Sequence, residues 1–337
     1  MDSLIAQASD YSRFNDFKIL TTTYKVVYNH EITVDILYPK HLHDSSHQHL
    51  RATPRPVLLR YHGGGLICGH SLFPPFFNKW YLELAQEHSA MIVSPNYRLM
   101  PESSILEILE DVEDHWDWMH AWLPTFLENE TSGEIKAELG RILAVGDSAG
   151  GYLSLQMGLS HPTEIRAVNA VYPMTNPKVP CFTAEQLRPV FNITTPPKDA
   201  LDRHLSDLKE QEALSETPIV KSAESSPDRL TLNFSICQHG QMGRLLPYDT
   251  ITPYPLERLD AGARFPRGGV VVLHGRDDTV APIEQSYSLK DKVEDVDPTS
   301  NFRLVVRDGE HGFDHSAELH DAWLWAAIQD IVKTWLD

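Results

Sequence analysis

The sequence is poor in cysteine, in positive charge and in long apolar runs, and each shortage excludes a class of protein. Three cysteines, Cys68, Cys181 and Cys237, cannot form a disulfide framework and are typical of a reducing compartment. Because 29 Lys and Arg stand against 47 Asp and Glu, the net charge of -18 disfavours nucleic acid and anionic membrane surfaces as partners. No apolar run approaches the roughly 20 residues that a bilayer-spanning helix needs, so no membrane span is expected.

The beginning of the sequence also lacks the pattern of a secretory signal. Residues 1–10 contain neither a basic segment nor an apolar core of the required kind. Together with the low cysteine count, this leads us to expect a cytoplasmic protein.

Four histidines lie close together in one stretch of the chain. His41, His43, His47 and His49 lie in one polar loop, but no carboxylate or cysteine accompanies them at ligand spacing. We therefore read this stretch as a solvated loop and expect no metal site.

Short apolar runs alternate with amphipathic stretches through most of the chain. Buried strands are predicted at 56–61, 90–95, 141–145, 167–172, 269–273 and 302–306, with helices between several of them. Two β-rich runs around Asn29-His30 predict an antiparallel hairpin before this region. Strands that alternate with helices indicate an α/β protein with a mostly parallel central sheet.

One connection between predicted strands is far longer than the others. Almost a hundred residues, rich in Pro, Ser, Thr and charges, separate the run at 167–172 from the run at 269–273. A structureless loop of that length is uncommon in a compact domain. We therefore expect a catalytic core at 17–175 and 266–337, and a cap or lid made of 176–265 together with 1–16.

The stretch Gly146-Asp147-Ser148-Ala149-Gly150 stands between a predicted strand and a predicted helix. Strand, sharp turn and helix form the context of a G-x-S-x-G nucleophile elbow, in which the serine is exposed in a strained backbone conformation. By itself the pattern also fits a glycine-rich turn with an idle serine. The rest of the chain decides between the two.

Candidate partners for Ser148 follow two later strands. Asp277 and Asp278 come after the run at 269–273, and His311 comes after the run at 302–306. A serine hydroxyl needs a base such as imidazole to take its proton, and a carboxylate orients that imidazole. The chain order of serine, acid and histidine is the one found in α/β-hydrolase folds. The spacing after the strand favours Asp278 as the acid, with Asp277 as the alternative.

A third strand end carries His62-Gly63-Gly64-Gly65. The negative charge that develops on a substrate carbonyl oxygen requires backbone N–H groups that point at it. Gly64, Gly65 and Ala149 are the candidates for these donors, since glycine allows the backbone to approach closely.

These motifs together resemble the hormone-sensitive-lipase-like branch of the α/β-hydrolase fold. The segment 62–65 matches its oxyanion motif and the segment 146–151 its nucleophile motif. The segment 96–102 is similar to its D-Y-R-L-A-P-E stretch but departs from it at Asn96 and Met100. The resemblance extends from about residue 56 to 313. It implies a small-molecule carboxylic ester as substrate, with a small or medium acyl group, and no cofactor.

The sequence therefore predicts a serine carboxylesterase that works through an acyl-enzyme. An acyltransferase or thioesterase with the same Ser-His-Asp triad is the alternative, because both begin with the same acyl-enzyme. A ligand receptor without catalysis is disfavoured, since binding-only members of this branch typically lose the base and His311 is present.

Overall fold

The computed structural model describes residues 8–43, 53–191 and 193–337, and the strands of these residues form one sheet. The strands are β1 (Phe17–Val27), β2 (His30–Pro39), β3 (Pro54–Tyr61), β4 (Met91–Pro95), β5 (Lys136–Asp147), β6 (Ile165–Val171), β7 (Val270–Gly275) and β8 (Phe302–Arg307). Their order across the sheet is β1-β2-β4-β3-β5-β6-β7-β8. Strand β2 pairs antiparallel with both of its neighbours, and all other pairs are parallel.

The helices of the described residues connect these strands. They are α1 (Lys79–Glu87), α2 (Ile105–Ala121), α3 (Leu123–Thr131), α4 (Ala149–Ser160), α5 (Pro180–Thr183), α6 (Ala200–Ser215), α7 (Pro227–Gln238), α8 (Pro255–Asp260), α9 (Glu284–Val296) and α10 (Ala322–Leu336). None of them combines the length and apolar character that a membrane crossing requires.

The sheet separates two apolar layers. Val57 and Leu59 of β3 belong to one cluster with residues of α2 and α4, whereas Leu58 belongs to a second cluster with Trp80 of α1 and Trp335 of α10. Successive side chains of a strand point to opposite faces, so β3 must be apolar on both. This is why the central strands read as continuous apolar runs, and the predicted α/β fold with its mostly parallel sheet is confirmed.

The turn of the entry hairpin differs by one residue from the prediction. Tyr28 and Asn29 occupy it, with φ of 46° and 65°, and His30 is already the first residue of β2. Two consecutive residues with positive φ form the tight hairpin turn whose twist matches that of the strands. Asparagine tolerates this conformation well, and here it fills the second position of the turn rather than the first.

The long connection between β6 and β7 contains helices α5 to α8. Helix α6 packs on α7, while α8 packs on α4 and α9 of the sheet-flanking layer. Gly69, in the loop after β3, forms a backbone bridge with Glu224 of this connection. We call residues 176–265 the insertion; it lies against the loops that follow the carboxyl ends of the central strands.

Candidate active site

Ser148 occupies the sharp turn between β5 and α4. Its backbone has φ 54° and ψ -118°, and its N–H donates to the carbonyl of Val171 at 2.8 Å. The adjacent glycines are required by close approach, since a Cβ on Gly150 would lie 2.0 Å from the carbonyl oxygen of Tyr61. On Gly146 it would lie 2.3 Å from the backbone of Gly150. The turn thus holds the serine in a conformation that few residues adopt unless the surroundings enforce it.

His311 and Asp278 are brought together by the loops after β8 and β7. His311 Nδ1 lies 2.7 Å from Asp278 Oδ2, and Asp278 Oδ1 accepts from the N–H groups of Val280 and Ala281, both at 2.8 Å. Burial raises the pKa of Asp278, but the nearby His311 and hydrogen bonds from His274 and His311 outweigh burial and hold this pKa well below its usual range. Because Asp278 is ionised and only accepts, Nδ1 of His311 must carry a proton.

Asp277 points away from this pair. It is exposed, and its Oδ2 accepts from the N–H of Gly309 at 3.2 Å. Of the two adjacent acids that the sequence offers, the structure therefore places Asp278 and not Asp277 against His311.

The two other histidines at strand ends are fully buried and have backbone partners. The ring of His62 stacks on Tyr97 at 4.2 Å between centroids, and its Nδ1 lies 2.8 Å from the carbonyl oxygen of Gly63. Burial lowers the pKa of His62 to about 3, so this ring stays neutral. His274 lies between Ser286 Oγ, at 2.6 Å, and the carbonyl oxygen of Ala281, at 2.7 Å.

Gly64 and Gly65 form a tight turn beside Ser148. Their φ values of 112° and 67° are in the region that favours glycine, and the N–H groups of Ile67 and Cys68 close the turn on the carbonyl of Gly64 at 3.0 and 2.9 Å. Both glycines line the same cavity as Ser148, Ala149 and His311. Within the described parts of the chain, the N–H groups of the two glycines have no acceptor.

This cavity has a volume of about 400 Å³ and a mostly apolar wall. The insertion contributes Phe182, Phe191, Phe234 and Met242, and the core contributes Phe76 and Met174. Of four neighbouring aromatic residues, Phe73, Phe76, Phe77 and Trp80, only Phe76 lines the cavity. Phe73, Phe77 and Trp80 are buried instead.

Glu310 is a residue of the site that sequence reasoning missed. Its carboxylate accepts from the N–H of Thr279 at 2.8 Å, from the Thr279 hydroxyl, and from the N–H of His311 at 2.7 Å. Thr279 follows Asp278 directly, so one carboxylate joins the loops of both members of the pair. Arg188 of the insertion donates to the carbonyls of Thr279 and Val280 on the other side. The only signal in the sequence was the position of Glu310 next to His311.

Asp147, inside the nucleophile motif, has a raised pKa, in contrast to the lowered pKa of Asp278. It is buried in the cavity wall, 3.5 Å from the guanidinium of Arg60. Burial raises the pKa of Asp147 to about 7, with Arg60 opposing and Asp314 adding to the rise. The site therefore holds one carboxyl group that stays ionised and one that titrates near neutral pH.

The segment 96–102 braces the site despite its departures from the family pattern. Asn96 accepts from the N–H of Ser71 and donates to Thr33 Oγ1, both at 2.9 Å, so it still ties neighbouring loops together. Arg98 pairs with buried Asp111 of α2. These contacts join neighbouring parts of the chain, and no residue of 96–102 is among those that line the cavity.

The described residues contain no group of three or more His, Cys, Asp or Glu arranged to hold a metal ion. His41 lies 2.9 Å from Ser89 Oγ and His43 lies 3.2 Å from Glu134 Oε2. His47 and His49 lie outside the residues that the structure describes.

The chain is similar to known proteins over half or more of its length. A model of the α/β-hydrolase fold family matches residues 58–223. A probable carboxylesterase of Phoma sp. is 30% identical over 318 residues, which cover 93% of this chain and 95% of the relative. A non-reducing polyketide synthase of Aspergillus calidoustus is 26% identical over 321 residues, covering 84% of this chain but only 12% of that enzyme.

Solved structures agree on the fold. One of two fungal esterases from Rhizomucor miehei superimposes with a TM-score of 0.61 at 18% identity, covering 99% of this chain and 89% of that one. This likeness is confined to the fold, whereas the Phoma relative extends over nearly the full length of both sequences. The chain therefore belongs to the α/β-hydrolase fold family, in the hormone-sensitive-lipase-like branch that its motifs predict.

Proposed function

We propose that this chain is a serine carboxylesterase with Ser148 as nucleophile, His311 as base and Asp278 as the orienting acid. The observation that carries the proposal is the 2.7 Å contact between His311 Nδ1 and Asp278 Oδ2 at the wall of a cavity that Ser148 shares. The family and the full-length similarity to a probable carboxylesterase support the same activity.

The proposed reaction follows from the properties of these groups. Asp278 fixes the proton of His311 on Nδ1, which leaves Nε2 free to take the hydroxyl proton as Ser148 Oγ bonds to the ester carbon. The N–H groups of Gly64, Gly65 and Ala149 stabilise the carbonyl oxygen while it is negative. The ester C–O bond then breaks, and the leaving alcohol takes the proton from His311. A water molecule attacks the acyl-enzyme by the same route, releasing the acid and restoring Ser148.

The proposed substrate is a small-molecule ester with a small or medium acyl group. The cavity of about 400 Å³ offers apolar side chains to such a group and no Lys or Arg side chain among its lining residues in the described ranges. We also propose that the insertion acts as a cap, since aromatic side chains of α5, α7 and the segment between α5 and α6 form one wall of this cavity.

An acyltransferase or thioesterase with the same three residues is the second candidate. The similarity of this chain to a segment of a polyketide synthase favours it, because that likeness associates the sequence with an enzyme that makes polyketide chains. A panel of matched p-nitrophenyl esters and thioesters, each run with and without a competing alcohol, separates the candidates. Hydrolysis of the esters alone supports the carboxylesterase.

The proposal is tested by Ser148→Ala. The change deletes the nucleophile and little volume, so we expect ester hydrolysis to fall by roughly 10⁴-fold or more while the fold is retained. Hydrolysis of p-nitrophenyl butyrate and labelling by a fluorophosphonate both measure the loss. Ser154→Ala is the matched control, because Ser154 is a buried serine of the helix that follows Ser148 and its hydroxyl donates to the carbonyl of Gly151. Full turnover in a folded Ser148→Ala protein would show that another group performs the attack.

A further inference from the structure

The turn that contains Gly64 and Gly65 is held in place by the insertion. Gly69, at the end of this turn, donates its N–H to the carbonyl of Glu224 at 2.7 Å and accepts from the N–H of Glu224 at 3.1 Å. Leu99, in the neighbouring loop, donates to the carbonyl of Lys221 at 2.7 Å. We call residues 62–69 the oxyanion turn; its backbone is thus paired with a segment that lies more than 150 residues later.

Arg229, on the first turn of α7, reaches from the insertion into this junction. It is 5% exposed. Its Nε donates to the carbonyl of Ile67 at 2.5 Å, and its Nη2 donates to the carbonyl of Met100 at 2.6 Å. The N–H of Met100 in turn donates to the carbonyl of Leu66 at 2.8 Å. One guanidinium therefore fixes the oxyanion turn and the loop that supports it.

A buried counter-ion holds Arg229 in this orientation. Glu102 accepts from Nη1 of Arg229 at 2.7 Å, from Nη2 at 2.6 Å, and lies 2.9 Å from His204 Nε2 of α6. Burial raises the pKa of Glu102, but the hydrogen bonds from His204 and Arg229 outweigh burial and lower it to about 2. The ion pair is therefore complete at any pH at which an esterase of this kind works. A forked, two-bond pair leaves the guanidinium little rotational freedom.

The same face of α7 also touches the oxyanion turn directly. Asn233 lies four residues after Arg229, hence on the same side of the helix. Its Oδ1 lies 2.3 Å from the position that a Cβ on Gly65 would take, and Asn233 lines the cavity. Helix α7 therefore sits against the glycine whose N–H is proposed to stabilise the oxyanion.

Small displacements of such donors have large effects on rate. N–H groups stabilise an oxyanion only when they are aimed at it in advance, and loss of one donor costs about 10²- to 10³-fold in kcat in a serine protease. The bonds from Arg229 go to carbonyls three residues from Gly64 and in the supporting loop, so they fix the direction of the donors without touching substrate.

We propose that Arg229 is a positioning residue for the oxyanion turn, so that the insertion sets the rate of the chemical step and not only the fit of the substrate. The proposal rests on the esterase function proposed above. It assigns to a residue of the insertion, which matches none of the family motifs, a role in aligning Gly64 and Gly65.

The test is Arg229→Lys. A lysine ammonium can still pair with Glu102, but it lacks the planar fork and cannot also reach the carbonyls of Ile67 and Met100. We expect kcat for p-nitrophenyl butyrate to fall about 10- to 100-fold with KM within about threefold of the wild type. Affinity for a trifluoromethyl ketone, which forms an oxyanion on Ser148, should fall in parallel with kcat. The fraction of enzyme labelled at completion by a fluorophosphonate should stay the same.

Arg244→Lys is the matched control. Arg244 also belongs to the insertion and pairs with an acid, Asp202, at 2.6 Å, but among the described residues its side chain bonds only within the insertion. We expect its kcat, KM and inhibitor affinity within about twofold of the wild type. Glu102→Gln, which loosens Arg229 without changing it, should lower kcat in the same direction by a smaller factor.

Three results would overturn the proposal. The first is an unchanged kcat in Arg229→Lys, and the second is a raised KM with unchanged kcat. The third is a labelled fraction that falls in proportion to kcat, which would mean that the change only unfolds part of the enzyme. Failure of the proposed function looks different, since wild-type enzyme would then neither hydrolyse the ester nor be labelled, and both proposals would fall together.

Discussion

Asp277 and Asp278 differ in one property that matters for activity, which is the direction their carboxylates face. We expect Asp278→Asn to lower kcat/KM by about 10⁴-fold, because an amide in place of the carboxylate favours the wrong tautomer of His311. Asp277→Asn should stay within a fewfold of the wild type, since this side chain is exposed and, in the described parts of the chain, bonds only the N–H of Gly309. Steady-state kinetics of both variants, with circular dichroism to establish folding, measure the difference. Equal losses would mean that Asp278 is not the partner of His311 during turnover.

At the scale of residues, the sequence predicted groups with characteristic neighbours and missed groups whose partners are backbone atoms. Ser148, Asp278 and His311 are preceded by strands and accompanied by glycines, so their positions follow from local pattern. Glu310 and Arg229 bond to backbone N–H and carbonyl groups of residues distant in sequence or of another loop. A backbone partner can be any type of residue, so the sequence does not indicate it. Only the three-dimensional structure shows which backbone groups these side chains contact.

Helix α7 presents a second side chain to the cavity, and this gives a prediction for the acyl pocket. Phe234 is buried, lines the cavity and packs edge-to-face on Phe191 at 6.2 Å between ring centroids. Phe234→Ala opens space on the side of the insertion. We expect the ratio of kcat/KM for p-nitrophenyl octanoate over p-nitrophenyl acetate to rise about tenfold or more, since each methylene in an apolar pocket is worth about 1–3 kcal/mol.

The control for Phe234→Ala is Leu232→Ala. Leu232 lies on the same helix and is equally buried, but it packs in the core and does not line the cavity. It should lower stability without changing the octanoate-to-acetate ratio. An unchanged octanoate-to-acetate ratio in Phe234→Ala would mean that the acyl group binds elsewhere, and it would contradict the proposal that the insertion acts as a cap.

At the scale of elements, the strands of the sheet were predictable, whereas the positions of the short helices in the insertion were not. A parallel strand covered on both faces reads as a short apolar run, and each predicted run of this kind coincides with a strand from β3 to β8. Helices α5 to α8 are short or largely polar, and α6 buries only Leu201 fully. Their positions depend on contacts with distant loops, such as the ion pair of Arg229 with Glu102, rather than on their own periodicity.

For the whole molecule, the same ion pair predicts part of the pH dependence of stability. Glu102 has a pKa of about 2 in the folded protein against an ordinary value of about 4.3. Its contribution is therefore fully present above the ordinary value and is lost as pH falls towards the folded one. Between pH 6 and pH 3 the wild type should lose about 2 kcal/mol more of its free energy of unfolding than Glu102→Gln.

Urea unfolding at a series of pH values measures this difference. Glu130→Gln is the control, because Glu130 is exposed on α3 and should leave the slope of stability against pH unchanged. A Glu102→Gln protein as acid-sensitive as the wild type would show that Glu102 is not held ionised by its partners.

The arginines that join the insertion to the core have a consequence for chimeras in which the insertion comes from a related enzyme. Arg229 and Arg188 both donate hydrogen bonds to backbone carbonyl oxygens, which every amino acid provides. The residue types at these acceptor positions of the core can therefore vary. An insertion taken from a relative can bind there without compensating substitutions in the acceptor loops. In such a chimera the transferred insertion must carry two arginines at the positions of Arg188 and Arg229. The recipient core must carry a carboxylate at the position of Glu102. A chimera designed only to match the apolar wall of the cavity would reproduce the shape of the cavity, but the proposed role of Arg229 predicts a poorly aligned oxyanion turn.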